Sequence, residues 1–586
     1  MRGELAVAAG SPAAAADVWA VRLDWLSLRV VWAGAVVLPL AVWPFGFDVF
    51  VLPKLAALRL LVLTLAALRL AAWVAGRPLR RTPLDLPLAL FLGSAVVSTA
   101  FAVNVDVAVR GTYYRYEGLS TILCYALLFW LSAQVVGRRE ASTLVRSLLV
   151  GGYLVAFLAV VQWAVAGGAV GSGAGESART FDGSLRAAST MGNADALGLY
   201  LAMLVPLATH ELLAARGAAT RLLAGNVAVC IGVGMVLTYS RAAWLGAALG
   251  VVLVAARPAV SAVRARPGVT AAGALAAVAV LGWAMRAGAG PRWLGSALTR
   301  AATLADPARG SGATRLHIWH DALALIAARP WTGWGPDTFG IAYPRFATGD
   351  WTPGFAIDKA HNDLLQTAAT QGLPGLAAQL CLLGVTGVAF WRGRRREGAV
   401  ALFAAWLAYQ VPLQAGFSWL PAAAPAWLLL AAAVAVWRPE ARPPRPVSVL
   451  PVRLVGGLLA ATAVLLAAPA VAVAPVVADT HFRAALAASA GGRRAVALRE
   501  LAAARLLAPG EGVYPAETGD VLLDMDRTGA PGPDAEPAAA RVAYLEAIRL
   551  GDSRPSVQRG LAAADRLLAA QTTPAGSVGA APARRR

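Results

Sequence analysis

Long runs of apolar residues, most of them close to twenty residues long, alternate with short polar segments along most of this chain. A helix of about twenty residues is long enough to cross the roughly 30 Å hydrocarbon layer of a membrane. The pattern therefore predicts an all-α, polytopic membrane protein with about 12–13 transmembrane helices. The predicted spans are residues 27–46, 55–75, 84–101, 118–136, 147–167, 196–213, 222–239, 242–256, 269–285, 372–391, 399–415, 420–437 and 454–477.

Arginine is distributed unevenly between the loops that join these spans. If the N-terminal segment, residues 1–26, is cytoplasmic, every loop that then faces the cytoplasm is basic, which is the positive-inside pattern. The clusters are Arg77, Arg80 and Arg81; Arg138, Arg139 and Arg146; Arg216 and Arg221; Arg257, Arg264 and Arg266; Arg392, Arg394, Arg395 and Arg396; and Arg438, Arg442 and Arg445. The same orientation predicts that residues 286–371 and everything after residue 478 are extracytoplasmic.

Composition agrees with a membrane protein and argues against a nucleic-acid-binding one. Only 14% of the residues are charged and 58% are hydrophobic, whereas soluble domains contain about 25% charged residues. The formal net charge of +20 is explained by basic cytoplasmic loops. The three cysteines, Cys124, Cys230 and Cys381, lie inside apolar runs and have neither a disulfide framework nor metal-ligand spacing.

The longest polar interruption, residues 286–371, separates transmembrane helices 1–9 (27–285) from helices 10–13 (372–478). Loops of this length in compact folds are usually functional or disordered. This one is rich in tryptophan and contains His317, His320 and His361, three of the five histidines. We therefore predict a folded extracytoplasmic cap loop that carries the active-site residues.

The tail, residues 479–572, has apolar residues at helical spacing, with breaks at 509–510, 529–533 and 551–552. Two of its segments look like degenerate copies of a helix–turn–helix unit and resemble tetratricopeptide (TPR) repeats. Two interpretations stay open, namely a docking surface for a protein partner or sugar chains and a helical appendage that packs on the cap. Residues 573–586 are predicted to be disordered.

The predicted outward loops contain several arginines and histidines that suit a phosphate-binding and proton-transfer site. Guanidinium groups bind phosphates through paired hydrogen bonds and stay charged, and histidine accepts a proton near neutral pH. Arg241 and Arg315 are therefore candidates for binding a diphosphate, with His361 as the base. Possible further substrate contacts are Arg110, Arg115, Arg186, Asn193 and Asn362.

Other interpretations of these residues remain open. Arginine near a helix end often reaches toward lipid phosphates, and His361 alone is also compatible with a structural histidine that bonds to backbone. His317, His320 and His361 form a conceivable zinc site. Asp48, Asp106 and Glu117 do not form the acidic pair that a metal-dependent transferase needs, so we expect no metal or other cofactor. RPWTGWGPDTFG (329–340) is either a sugar-stacking platform or a packed turn.

Four segments together resemble the O-antigen ligase and O-antigen polymerase (Wzy-type) superfamily, which also includes bacterial O-oligosaccharyltransferases. They are TYSRAAWLG (238–246), the R-x-x-x-W of Arg315 and Trp319, RPWTGWGPDTFG (329–340) and AHNDLLQTAATQGLPG (360–375). The resemblance covers residues 30–440. STMGNADALGLYLAMLVPLA is similar to a segment that opens a middle span of the family, although Ala194–Asp195 replaces part of its usual string.

The resemblance implies metal-independent, inverting transfer of a glycan from undecaprenyl diphosphate at the outer face of the cytoplasmic (inner) membrane. It also implies that Arg241 and Arg315 match diphosphate-binding arginines and that His361 matches an essential histidine. The acceptor is then a lipid, glycan or protein, as in lipopolysaccharide and other cell-surface polysaccharide biosynthesis. Ligase, polymerase and protein O-oligosaccharyltransferase activities remain open, and a transporter or flippase of lipid-linked glycans is the alternative from another class.

Overall fold

The computed structural model describes residues 12–165, 186–265, 311–349, 357–438, 451–524, 535–552 and 554–572. All regular structure in these ranges is helical, as predicted. The first nine helices are α1 Pro12–Leu40, α2 Val51–Val74, α3 Asp85–Ala100, α4 Val105–Arg110, α5 Leu119–Val135, α6 Arg138–Val165, α7 Ala194–Ala214, α8 Ala218–Val236 and α9 Arg241–Ala265. A short 3-10 helix, Ser189–Met191, precedes α7.

The remaining helices belong to the predicted cap, the last spans and the tail. They are α10 Ser311–Ala328, α11 Phe339–Ala342, α12 Asp363–Gly393, α13 Ala399–Leu413, α14 Leu420–Trp437, α15 Pro451–Ala468, α16 Ala474–Ala490, α17 Arg494–Leu507, α18 Val513–Leu522, α19 Pro537–Arg549 and α20 Pro555–Thr572. A 3-10 helix, Tyr343–Arg345, follows α11, and a π-helical stretch, Pro469–Val473, follows α15.

Twelve of the thirteen predicted spans coincide with apolar helices, so the chain is a multi-pass membrane protein. Eight helices among the described residues are long and apolar enough to cross a membrane, and four more are apolar but shorter. The shorter ones are Asp85–Ala100, Leu119–Val135, Arg241–Ala256 and Ala399–Leu413. The predicted span 269–285 lies outside the described residues, as do residues 286–310 of the predicted cap.

Helix α14 is the centre of the membrane part. Almost all of its residues are buried, and it packs against α5, α6, α7 and α13. Its sequence, LPAAAPAWLLLAAAVAVW, is rich in alanine, and small residues let neighbouring helix backbones approach closely. Helix α14 therefore joins α5, α6, α7 and α13 into one packed core, and α9 packs on this core through α7 and α13.

Residues 474–524, 535–552 and 554–572, together with residues 45–47, form a second compact unit. Within it α16 packs on α17, α18 on α19, and α19 on α20. Tyr544, Leu523 and Val557 belong to its buried apolar cluster. Helices end and begin at the predicted breaks near residues 509–510 and 551–552, whereas 529–533 lies outside the described residues. TPR-type repeats in this unit stay a prediction.

Candidate functional site

Helix α12 is two helices joined by a sharp turn at Gly372, whose backbone (φ 71°, ψ −177°) is not helical. Gln379 donates from Nε2 to Asp363 Oδ2 at 2.6 Å. In a straight helix these residues would lie about 24 Å apart at 1.5 Å per residue. The first arm, 363–371, therefore folds back beside the second arm, 373–393. The second arm matches the predicted span 372–391.

RPWTGWGPDTFG packs against this turn through backbone hydrogen bonds. Leu373 N–H donates to Pro330 O at 2.7 Å, and Gly335 N–H donates to Thr370 O at 2.9 Å. A Cβ on Gly372 would lie 2.6 Å from Trp331 O, and glycine is the residue that tolerates this left-handed backbone. Of the two interpretations of this string, the described contacts fit the packed turn.

The tryptophans of this string differ in burial. Trp334 is buried, and its Nε1 donates to Leu325 O at 2.9 Å, so it is unavailable for stacking on a sugar. Trp331 is 71% exposed. Trp334 therefore contributes to the packing of the cap on α12.

His361 lies immediately before the first arm of α12 in a left-handed backbone conformation (φ 51°). Asn362 caps the helix by accepting a hydrogen bond from Leu365 N–H at 3.0 Å, and its Nδ2 donates to Gln414 O at 3.1 Å. The His361 ring meets the Phe417 ring edge-on, with centroids 5.3 Å apart. Asn362 is therefore a structural cap that fixes the position of its neighbour.

Arg115 belongs to the same group of side chains. Its Nε donates to Asp358 Oδ2 at 2.5 Å. Its guanidinium carbon lies 5.0 Å from the ring centroid of Phe417 and 4.8 Å from that of Trp419. Phe417 thus contacts both Arg115 and His361, which places a predicted substrate contact beside the predicted base.

Arg186 and Asn193 organise the start of α7. Arg186 donates from Nη2 to Asp195 Oδ1 at 2.5 Å and from Nε to Thr238 O at 2.8 Å. Asn193 caps α7 by accepting from Asp195 N–H at 2.8 Å and Ala196 N–H at 3.2 Å. Asp195 also forms a side-chain hydrogen bond with Ser240, which directly precedes Arg241. The start of α7 is thereby tied to the start of α9.

Electrostatic interactions connect these groups to Arg315 on α10. Arg315 interacts with Arg241, with Asp195 and with His361. His361 also interacts with Asp358, Arg115 and Asp195. The structure thus brings Arg315 within electrostatic reach of both Arg241 and His361, while Arg115 acts on His361 and Arg186 on Asp195.

Burial lowers the pKa of His361, and the positive charge of Arg315 lowers it further, to about 4. Asp358 acts in the opposite direction but does not outweigh these effects. Since an imidazole with this pKa is neutral at pH 7, a ring nitrogen is available to accept a proton.

The remaining predicted candidates lie elsewhere in the described part of the chain. Arg110 pairs with Asp106 on the same helix at 3.1 Å. His317 and His320 are exposed on α10, and His320 faces Asp321. No group of three or more His, Cys, Asp or Glu residues with metal-binding geometry occurs among the described residues. Asp48 caps α2 by accepting from Val51 N–H at 2.9 Å.

Sequence reasoning missed Asp358, Phe417 and Asp195, which hold Arg115, His361 and Arg186. It also missed Lys359, whose buried ammonium pairs with Asp337. Asp358 and Lys359 stand next to the AHND string, and their position beside His361 was the only local signal for them. Phe417 had no such signal, because its role depends on the packing of α13 and α14.

The central part of the chain is similar to a known protein family. A family model described as O-antigen ligase matches residues 227–380, and no curated protein matches the chain. The match supports assignment to the O-antigen ligase superfamily. It contains Arg241, Arg315 and His361, whereas Arg115, Arg186 and the tail lie outside it.

Proposed function

We propose that this chain, with its O-antigen ligase region at residues 227–380, transfers a glycan from undecaprenyl diphosphate to an acceptor hydroxyl. The observation that carries the proposal is the position of His361, which shares Phe417 with Arg115 and lies within electrostatic reach of Arg315, which in turn interacts with Arg241. We place the reaction at the outer face of the cytoplasmic membrane, because the arginine distribution puts residues 286–371 outside.

Arg241 and Arg315 bind the diphosphate in this proposal. Two like charges held within electrostatic reach repel each other, and an anion bound by both relieves the repulsion. Guanidinium groups also match phosphate oxygens through paired hydrogen bonds. Since these bonds strengthen as the leaving diphosphate gains negative charge, they stabilise the transition state more than the bound donor.

His361 acts as the general base on the acceptor. Its neutral ring takes the proton of the acceptor hydroxyl while that oxygen attacks the anomeric carbon of the donor sugar. The bond between this carbon and the diphosphate oxygen breaks, and the diphosphate leaves with the electron pair. No general acid is needed for a leaving group of this kind, and the proposed reaction is inverting and independent of metal.

Two further activities would use the same groups. A polymerase would present a second lipid-linked glycan as acceptor, and a protein O-oligosaccharyltransferase would present a serine or threonine hydroxyl. In either case the TPR-like tail, which we place outside the cytoplasm, is a candidate docking surface for a partner. A flippase is the alternative from another class, but it does not require a neutral histidine beside clustered arginines.

Substitution of His361 by alanine tests the base. In proteoliposomes that contain lipid-linked glycan, the variant should release free undecaprenyl diphosphate roughly 100- to 10,000-fold more slowly than the wild type, as expected for loss of a general base. His320→Ala is the matched control, because His320 is an exposed histidine of the same region. Transfer by His361→Ala at the wild-type rate would refute the proposal. Movement of the donor across the bilayer without release of diphosphate would support a flippase.

A further inference from the structure

A cavity of about 180 Å³ lies beside the segment that carries His361. Lys359 and Asp363, which flank His361 in the sequence, both line it. Helices α3, α5, α12, α13 and α14 contribute most of the rest of the wall, and Glu117, Pro336, Asp337 and Ser418 from the connecting segments complete it. A cavity needs about 10–15 Å³ of this measure for each water, so this one has room for a group much larger than a water molecule.

The wall of the cavity is polar near the turn of α12 and apolar farther along the second arm. Thr370, Gln371 and Gln379 line the polar part. The apolar part is formed by Phe91, Leu382, Leu383, Trp406 and Leu430. An amphipathic wall of this kind fits a ligand with a polar head and an apolar chain.

The charges that line the cavity disfavour an anionic ligand. Glu117, Asp337 and Asp363 contribute three carboxyl groups against the single ammonium of Lys359, and that ammonium is paired with Asp337. Asp337 Oδ2 also accepts from Thr112 N–H at 2.7 Å and from Glu117 N–H at 3.2 Å. Lys359 is the only cation among the described residues that line the cavity, and it is already paired, so a diphosphate would find no free cation here.

Gln379 presents a hydrogen-bond acceptor without a donor. Its Nε2 is bonded to Asp363, but its Oε1 is buried and has no donor within the described ranges of the chain. The residue is only 9% exposed and lines the cavity. A buried acceptor without a donor is costly, and a ligand hydroxyl would satisfy it.

We propose that this cavity binds a neutral sugar residue of one of the two substrates and that Gln379 Oε1 accepts a hydrogen bond from one of its hydroxyls. The proposal rests on the glycosyl-transfer function proposed above. Carboxyl and amide groups with nearby aromatic rings suit a sugar, which has both hydroxyls and apolar ring faces. Burial raises the pKa of Glu117 to about 8, although Lys359 opposes this.

A photoreactive alkyl glycoside tests the cavity without requiring turnover. We would use decyl β-D-glucoside with a diazirine at the end of its chain and, as the matched anionic probe, a decyl phosphate with the same diazirine. After irradiation of the full-length protein in membranes, mass spectrometry should find glucoside adducts on Leu382, Leu383 or Trp406. Gln379→Leu should reduce this labelling about 3- to 10-fold, as expected for loss of a hydrogen bond.

A second variant distinguishes loss of the sugar contact from a folding defect in Gln379→Leu. Leu383→Trp fills the cavity from its apolar side and should block labelling, whereas Leu380→Trp places the same side chain at an exposed position of the same helix and should not. Equal labelling by the phosphate probe, or labelling that neither Gln379→Leu nor Leu383→Trp reduces, would overturn the proposal.

Competition identifies the source of the sugar. Loss of glucoside labelling in the presence of excess undecaprenyl-diphosphate-linked glycan assigns the cavity to the donor, and persistence of labelling assigns it to the acceptor. Both results support a neutral-sugar site. His361→Ala should be labelled like the wild type, so failure of the cavity proposal is distinguishable from failure of the proposed base.

Discussion

Arg115 and Asp358 are 243 residues apart in the chain, yet Arg115 Nε donates to Asp358 Oδ2 at 2.5 Å. Burial would raise the pKa of Asp358, but the charge and hydrogen bond of Arg115 lower it below its ordinary value. Since Asp358 is three residues before His361, this ion pair ties the loop after α4 to the segment of the proposed base.

Substitution of Asp358 by asparagine should slow transfer without preventing donor binding. The change removes the partner of Arg115 and the negative charge that raises the pKa of His361, so the imidazole becomes a weaker base. We expect a lower kcat with little change in the KM for the donor, measured by release of undecaprenyl diphosphate. Asp106→Asn, which breaks the Arg110–Asp106 pair, is the control. An effect of similar size in the control would argue against this positioning role.

The pH dependence of transfer should reflect the low pKa of His361. The base is neutral above its pKa of about 4, so kcat/KM should fall at acidic pH near 4 and stay level between pH 5 and the ordinary histidine value of about 6.5. Because this pKa is below that of an unfolded histidine, protonation destabilises the fold as pH falls from about 6.5 toward 4. Arg315→Gln removes a lowering charge and should move the acidic limb to higher pH. If the kcat/KM of the wild type instead fell near pH 6.5, this prediction would be contradicted.

Replacement of either diphosphate arginine by lysine should be harmful although the charge is retained. Lysine cannot reproduce the planar pair of hydrogen bonds. Loss of a charge-assisted bond of about 1.5–3 kcal/mol corresponds to a fall of roughly 10- to 100-fold in kcat/KM. We would measure Arg241→Lys and Arg315→Lys in proteoliposomes with Arg110→Lys as the control. Full activity in both Arg241→Lys and Arg315→Lys would show that the paired hydrogen bonds are not required for transfer.

Gly372→Ala should destabilise the protein. The added Cβ would lie 2.6 Å from Trp331 O in a left-handed backbone, and such strain costs of order 1–3 kcal/mol before the steric overlap is counted. Thermal unfolding in detergent should show a lower Tm. Gly384→Ala is the matched control on the same helix, because nothing lies within 4 Å of the added carbon. An unchanged Tm for Gly372→Ala would mean that the turn can rearrange.

Local pattern predicted the helices well because membrane thickness sets the length of an apolar run. Arg241, Arg315 and His361 were predicted as site residues because they lie in short segments that resemble the O-antigen ligase and polymerase superfamily. The fold-back of α12 was not predicted, because the residues before Gly372 contain both polar and apolar side chains and read as the end of a loop. The contact of His361 with Phe417 could not be predicted either, because packing between segments that are distant in the chain leaves no periodic pattern in the sequence.

Glu117 is another residue whose environment could not be predicted from the sequence. In the sequence it is an isolated acidic residue, considered only as an unpaired metal ligand. In the structure it is half-buried, accepts a hydrogen bond from Tyr125 OH at 2.9 Å, and lines the cavity beside Lys359. Its environment is made by residues from several parts of the chain, so the raised pKa of Glu117 can be explained only from the folded structure.

The turn at Gly372 determines where along α12 an acceptor hydroxyl must reach. Gln379 lies seven residues beyond the turn, about 10 Å along the helix, and Asp363 touches it at that level. Because the predicted span 372–391 begins at this turn, the first arm returns beside the second arm and carries the segment of His361 back along it. In the proposed function an acceptor hydroxyl must reach a position beside the second arm, so we expect slender acceptors: a sugar carried on a lipid, the end of a glycan, or an unfolded peptide segment.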